Sequence, residues 1–209
     1  MIKAVLFDVG GVLISSPFES FSRYEATHGL PDGFIRKLNS TNPDTNAWAH
    51  LERGDVNFDE FCELFEAEAR AAGGELKGRD VMELLAGEMR PAMLEAVRRC
   101  HERLKTAMVT NNWRAEDEGG RLDTLLPLFD VVIESSKAGV RKPEPRFYEM
   151  ACEQLEIEPS EAVFLDDLGV NLKPARAMGM TTIKVTDPDV ALAELEEVVG
   201  FPLRAAPAD

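Results

Sequence analysis

Four short groups of residues in this chain carry side chains suited to chemistry, and each follows an apolar, strand-forming run. Asp8 ends the run Lys3-Ala-Val-Leu-Phe-Asp8 and precedes Gly10-Gly11. Thr110-Asn111-Asn112 follows Ala107-Met-Val109, and Asp166-Asp167 follows Val163-Phe-Leu165. Lys142-Pro143 comes after the run Phe129–Glu134 through the loop 135–141. Singly, each has an ordinary structural account: a hydroxyl closing a turn, a lysine on a solvated loop, acids capping the next helix. In a doubly wound parallel sheet, however, the carboxyl ends of the strands converge on one crevice, where such sheets bind their ligands. The glycines after Asp8 let the backbone turn sharply and come close to whatever binds there.

The chemistry that a carboxylate, a threonine, a lysine and an acidic pair can share is phosphoryl transfer. A carboxylate is a competent nucleophile and divides a difficult displacement into two easier steps. Asp8 and Asp167 repel each other and a phosphate unless a cation lies between them. Magnesium suits that place, being hard, oxygen-seeking and commonly held by one or two carboxylates plus substrate phosphate. Lys142 is expected to set a positive charge against the phosphoryl oxygens, with Thr110 donating a hydrogen bond to one of them. Asp166 reads as a second-layer group that orients Lys142 or a metal-bound water.

The bulk properties agree with a small-molecule enzyme. At 209 residues the chain fits one domain or one core with a sizeable insertion. A net charge of −15 argues against a nucleic-acid partner, which needs stripes of Lys and Arg. Cys62, Cys100 and Cys152 are odd in number and share no close spacing, which reads as reduced, buried thiols and a cytoplasmic location. Asp8 interrupts the N-terminal apolar run and no small-residue cleavage site follows it, so no signal peptide is expected. No segment approaches the ~20 apolar residues of a membrane helix, so no membrane partner is expected.

The elements that must position these groups alternate. Residues 3–8 read as the first strand. A helix at 91–103, a strand at Lys105–Thr110, a short helix near 121–127 and a strand at Phe129–Glu134 follow the insertion described next. A helix at 145–156, a strand at Ala162–Leu165, a helix near 170–178, a strand at Thr181–Val185 and a helix at 188–199 complete the pattern, and the tail Ala205–Asp209 is expected to fray. This alternation predicts an α/β, Rossmann-like doubly wound parallel sheet. Between Pro17 and about Glu88 the β signal vanishes. Phe18, Phe21 and Tyr24 repeat every third residue behind Pro17, and Phe58, Phe61, Cys62, Leu64, Phe65 and Ala69 recur at helical spacing. Asn57 and Glu60 resemble a capping box. The aromatics read as core. The expected division is therefore an α/β core of residues 1–16 and 89–209 and an all-helical insertion of residues 17–88, which the resemblance described next makes a cap domain.

The motifs Phe7-Asp-Val-Gly-Gly-Val-Leu13, Val109-Thr-Asn-Asn112, Arg141-Lys-Pro-Glu-Pro145 and Phe164-Leu-Asp-Asp-Leu-Gly-Val-Asn171 resemble the four motifs of the haloacid dehalogenase-like hydrolase superfamily. The stretch Glu134–Phe201 is similar to the N-terminal phosphatase-like domain of soluble epoxide hydrolases, and of acyl-CoA dehydrogenases that carry such a domain. The resemblance implies a Mg2+-dependent phosphatase acting on a small phosphorylated metabolite, as a monomer or homodimer. It makes Asp8 the nucleophile, Thr110, Asn111 and Lys142 the phosphate-binding residues, and Asp8, Asp167 and the Gly10 carbonyl the metal ligands. Asp166 and Asn171 support them from behind.

One departure matters. Phosphatases of this superfamily carry Asp-x-Asp, the second Asp protonating the leaving group and later activating water, and here that position is Gly10. Such a general acid is typically worth ~10²–10⁴ in rate. His28, His50 or Glu19 from the helical segment are the available substitutes, and Trp48, His50, Arg23 and Arg36 are the side chains there that could face the site. A haloacid dehalogenase needs neither metal nor acid, but the family's dehalogenases carry an aromatic residue at the place of Gly10 and Ser-Ser-Asn where this chain has Leu165-Asp-Asp167. A non-catalytic module that keeps the metal and phosphate site is the third reading.

Overall fold

The computed structural model describes residues 1–112 and 124–204. Five parallel strands, β1 (Ala4–Phe7), β2 (Lys105–Thr110), β3 (Val131–Glu134), β4 (Ala162–Asp166) and β5 (Thr181–Lys184), form one sheet in the order β3-β2-β1-β4-β5. The central strand β1 is fully buried along its length, because it is covered on both faces and its side chains are apolar on both. Val5 and Phe7 face one layer with α6 (Pro91–His101) and α10 (Pro188–Val199); Ala4 and Leu6 face the other with α8 (Pro145–Leu155) and α9 (Gly169–Ala177). This is a doubly wound sheet. Chain order reverses between β1, which Asp8 follows directly, and β4, which ends at Asp166.

The expected elements of the core lie within two residues of those observed at nearly every end. Two readings differ. The loop 135–141 contains a single helical turn, α7 (Ser135–Ala138), closed by Gly139 at φ +68°; four residues are too few to display a helical period. Of the short helix near 121–127, residues 121–123 lie outside the described residues, as do Ala205–Asp209; the described part is a tight 3₁₀ turn at Leu126–Leu128.

Residues 17–88 fold into five helices, α1 (Phe18–Thr27), α2 (Phe34–Ser40), α3 (Ala47–Arg53), α4 (Phe58–Ala71) and α5 (Gly78–Glu83), around an apolar cluster of their own. The Asn57–Glu60 capping box is formed, and Phe21, Tyr24, Phe61, Phe65 and Ala69 are buried. Leu64, counted in the same stripe, is 42% exposed, because it lies off the buried face defined by Phe61, Phe65 and Ala69. The two chain crossings into the insertion run side by side: Ile14 pairs with Met89, Ser15 N–H donates to Glu88 O and Arg90 N–H to Leu13 O. Cys100 and Cys152 are buried and Cys62 half-buried, all as free thiols. Among the described residues no helix is long and apolar enough to cross a membrane.

Candidate active site

Asp8 is the first residue past β1. Its N–H continues the ladder by donating to Leu165 O, and its carboxylate accepts the Val9 N–H at 2.7 Å. Gly10 (φ −65°, ψ 129°) and Gly11 (φ 71°, ψ −10°) then have the dihedrals of the two central residues of a type II turn, which requires positive φ at the second place only. Gly11 is needed twice over, since a Cβ there would stand 2.3 Å from Asp167 Oδ2. Gly10 is different: its dihedrals suit any residue, and a Cβ on it meets nothing within 4 Å. The Gly11 carbonyl accepts from Arg90 Nη1 at 2.6 Å.

Lys142 gathers the ends of three strands. Its buried ammonium donates to Asp8 Oδ1 (2.7 Å), Asp166 Oδ2 (2.8 Å) and Val109 O (3.1 Å), which uses all three N–H bonds of the group. Asn111 holds the lysine's backbone from both sides, accepting from Lys142 N at 2.8 Å and donating to Lys142 O at 2.9 Å. Asp166 is fully buried, and both its oxygens are occupied: Oδ1 accepts from Leu168 N and Asn171 Nδ2, Oδ2 from Lys142 and Asn171 Nδ2. Thr110 is buried at the end of β2. Asn112 instead braces the β2–β3 junction, donating to Glu134 and Ser135. Asp8, Asp166, Asp167 and Lys142 thus come together past the carboxyl ends of the strands, with Thr110 at the end of the neighbouring strand β2.

The electrostatics identify what the cluster lacks. Oxygens of Asp8, Asp166 and Asp167 lie within 4.8 Å of one another, and Lys142 is the one cation that ion-pairs with any of them among the described residues. Burial pushes the Asp8 carboxyl up to about 8 despite Lys142, with Asp166 adding to the rise. Burial and then Asp166 push Asp167 up to about 6, while Lys142 and Arg90 pull it down. For Lys142, burial favours the neutral form, but Asp166 and Asp8 outweigh it and hold the ammonium charged. Since Asp166 is saturated, Asp8 and Asp167 are the two carboxylates with coordinating capacity left. A hard divalent cation fits that donor set and supplies the missing positive charge.

On the insertion side, the structure brings up a residue that sequence reasoning missed. Glu52, on α3, accepts from Asn111 Nδ2 (3.1 Å) and Arg141 Nε (2.5 Å), and burial raises its pKa. Arg141 precedes Lys142 in a motif and was visible in the sequence; Glu52, within a helix, and Arg90, just before one, are single charges with no spacing to mark them. The substitutes expected in the helical segment do not join the cluster by hydrogen bonds or ion pairs. His28 is exposed, stacked on Tyr24 at 3.9 Å and bonded to its carbonyl, and His50 pairs with Asp55 at 3.0 Å. Glu19 and Arg23 are exposed on α1. Arg36 lies over the Phe18 ring at 4.4 Å. Trp48 is buried edge-on to Phe61 and Phe65 in the insertion's own core, because a large aromatic stabilises that cluster more than it would an open crevice.

A family model of haloacid dehalogenase-like hydrolases matches residues 2–179. The chain is 36% identical over 96% of its length to mouse acyl-CoA dehydrogenase family member 10, and 32% identical over 99% to pig bifunctional epoxide hydrolase 2. It spans only 19% and 40% of those two proteins. Validoxylamine A 7′-phosphate phosphatase of Streptomyces hygroscopicus subsp. limoneus matches at 29% identity over 95% of this chain and 96% of its own. Among solved structures, a HAD-like family hydrolase from Porphyromonas gingivalis superposes with a TM-score of 0.70 at 22% identity, covering 95% of this chain and 98% of that one. With the family's model matched across the insertion and the first four strands of the sheet, the chain belongs to the haloacid dehalogenase-like hydrolases.

Proposed function

We propose that this chain is a magnesium-dependent phosphatase that acts through an aspartyl-phosphate on Asp8, in the cytoplasm, on a small phosphorylated metabolite. The observation that carries the reading is the buried Asp8 carboxylate, fixed by Val9 N–H and Lys142 beside a second carboxylate, Asp167, that no cation pairs with among the described residues. Asp8, Asp167 and the Gly10 carbonyl would hold Mg2+, whose charge would let carboxylates and a phosphoryl group approach one another. Lys142 lays its charge against the phosphoryl oxygens and Thr110 donates to one of them. The Asn111 side chain, expected to bind phosphate, gives both amide hydrogens to Lys142 O and Glu52 and holds the lysine's backbone instead, while Asp166 and Asn171 keep the ammonium in place. An Asp8 oxygen attacks phosphorus, the bond to the leaving oxygen breaks, and water then hydrolyses the acyl phosphate. No side chain at residue 10 protonates the leaving oxygen, so turnover is restricted to good leaving groups. Residues 17–88 act as the cap over a core of residues 1–16 and 89–209, and the protein works as a monomer or homodimer. Dehalogenation is the weaker reading, since a metal-free reaction leaves the acidic cluster without compensation.

The test is hydrolysis of p-nitrophenyl phosphate with and without magnesium, alongside Asp8→Asn. Turnover that needs magnesium and falls below a few per cent in Asp8→Asn supports the reading. Metal-independent turnover, or a fully active Asp8→Asn, overturns it.

A further inference from the structure

The inserted helices reach the carboxyl edge of the sheet through the last turn of α3. Gly54 closes that helix at φ +76°, so near α7 that a Cβ on it would stand 2.8 Å from the Ser136 carbonyl oxygen. Two residues earlier, Glu52 Oε2 accepts both from Asn111 Nδ2, after β2, and from Arg141 Nε, beside Lys142. Arg141 in turn donates from Nη1 to Pro43 O at 2.8 Å, in the loop between α2 and α3. One carboxylate oxygen therefore ties together the two loops that meet at the lysine.

Lys142 is held in two ways that come from different parts of the chain. Its ammonium is set by Asp8, Asp166 and Val109, all in the sheet. Its peptide groups are held by the Asn111 side chain, and the Asn111 amide is shared with Glu52. The Glu52–Arg141 pair is little exposed (16% and 14% of the side chains), so replacing the carboxylate by a neutral amide removes the charge that strengthens both bonds where water reaches poorly. We propose that Glu52 is a positioning residue for Lys142, holding Asn111 and Arg141 on either side of the lysine's backbone. The inserted helix thereby takes part in building the phosphate site. This rests on the phosphatase reading above. Without Glu52 only a fraction of molecules carry the loop in place, and apparent affinity for a phosphoryl group falls by that fraction.

The experiment compares wild type, Glu52→Gln and Arg141→Gln in magnesium, measuring kcat and KM for p-nitrophenyl phosphate and Ki for orthovanadate. Glu52→Gln should raise KM and Ki together by about tenfold, with kcat within about threefold, because a bound phosphoryl group restores the loop. Arg141→Gln should do the same, and the double variant should be no worse than the worse single, since both act through one contact. A structural role alone would lower the melting temperature and leave Ki unchanged. An active wild type with Ki unchanged in Glu52→Gln, or penalties that multiply in the double, overturns the proposal. If Glu52→Gln fails to fold, an unchanged Ki in Arg141→Gln overturns it equally. A wild type without magnesium-dependent turnover removes the phosphatase reading, and this proposal with it.

Discussion

Gly10→Asp should convert a restricted phosphatase into a more general one. The backbone already accepts the change: φ −65°, ψ 129° is ordinary for any residue and a Cβ meets nothing within 4 Å. Loss of unfolded-state freedom on replacing a glycine at a compatible site is worth about 0.4–1 kcal/mol in favour of folding. The new side chain would stand two residues past Asp8, in the turn beside the cluster of Asp8, Asp166 and Asp167 against Lys142. Three carboxylates against one ammonium leave a surplus of negative charge beside the new group, which a cation between Asp8 and Asp167 would offset only in part once phosphate is bound. That surplus disfavours ionisation and holds the new carboxyl above its ordinary range, the direction an acid working near neutrality needs. The gain should scale with leaving-group pKa, small for aryl or acyl phosphates and up to ~10²-fold for alkyl phosphates. The assay is a plot of log kcat/KM against leaving-group pKa for both proteins, with magnesium affinity by calorimetry as the control. A shallower slope in Gly10→Asp is expected. Parallel lines would refute the reasoning, because the missing acid would then not be what limits the reaction.

Gly11→Ala should fail where Gly10→Asp succeeds: positive φ and a Cβ 2.3 Å from Asp167 Oδ2 together should cost about 1–3 kcal/mol in chemical denaturation and displace Asp167. Asp167→Asn should weaken magnesium at least tenfold by calorimetry; equal affinity would remove the metal from this site. Protons compete with the cation for Asp8 (about 8) and Asp167 (about 6), so magnesium affinity should rise between pH 6 and pH 8. Both folded-state pKa values lie above those of the unfolded chain. The metal-free protein should therefore be most stable below about pH 4 as far as these two groups are concerned, losing that contribution as pH rises through 6 and 8. Melting temperatures in EDTA and in magnesium across this range check the sign, and magnesium should stabilise more at pH 8 than at pH 6.

The strand-end chemistry was legible in the sequence because it is local. Asp8, Thr110 and Asp166-Asp167 each terminate an apolar run short enough to be a strand, and parallel topology carries such ends to one edge whatever the loops do. The Asn57–Glu60 cap and the Phe61–Phe65–Ala69 stripe were legible for the same reason, since each is decided within a few residues of chain. Other decisions needed distant partners. Residues 10 and 11 are identical glycines in the sequence; only the fold makes Gly11 indispensable, by placing Asp167 on its α-carbon, and leaves Gly10 free. The sequence already sets Asp166 behind Lys142 and Asp8 and Asp167 toward a cation; what the fold adds is the means, since Lys142, Asn171 and the Leu168 N–H take up both Asp166 oxygens. Glu52 lies 59 residues from Asn111 and 89 from Arg141, and carries no periodicity or motif. Its place beside the lysine follows from the packing of α3 against α7, where a glycine fits and a side chain would not, and no short-range pattern encodes that contact.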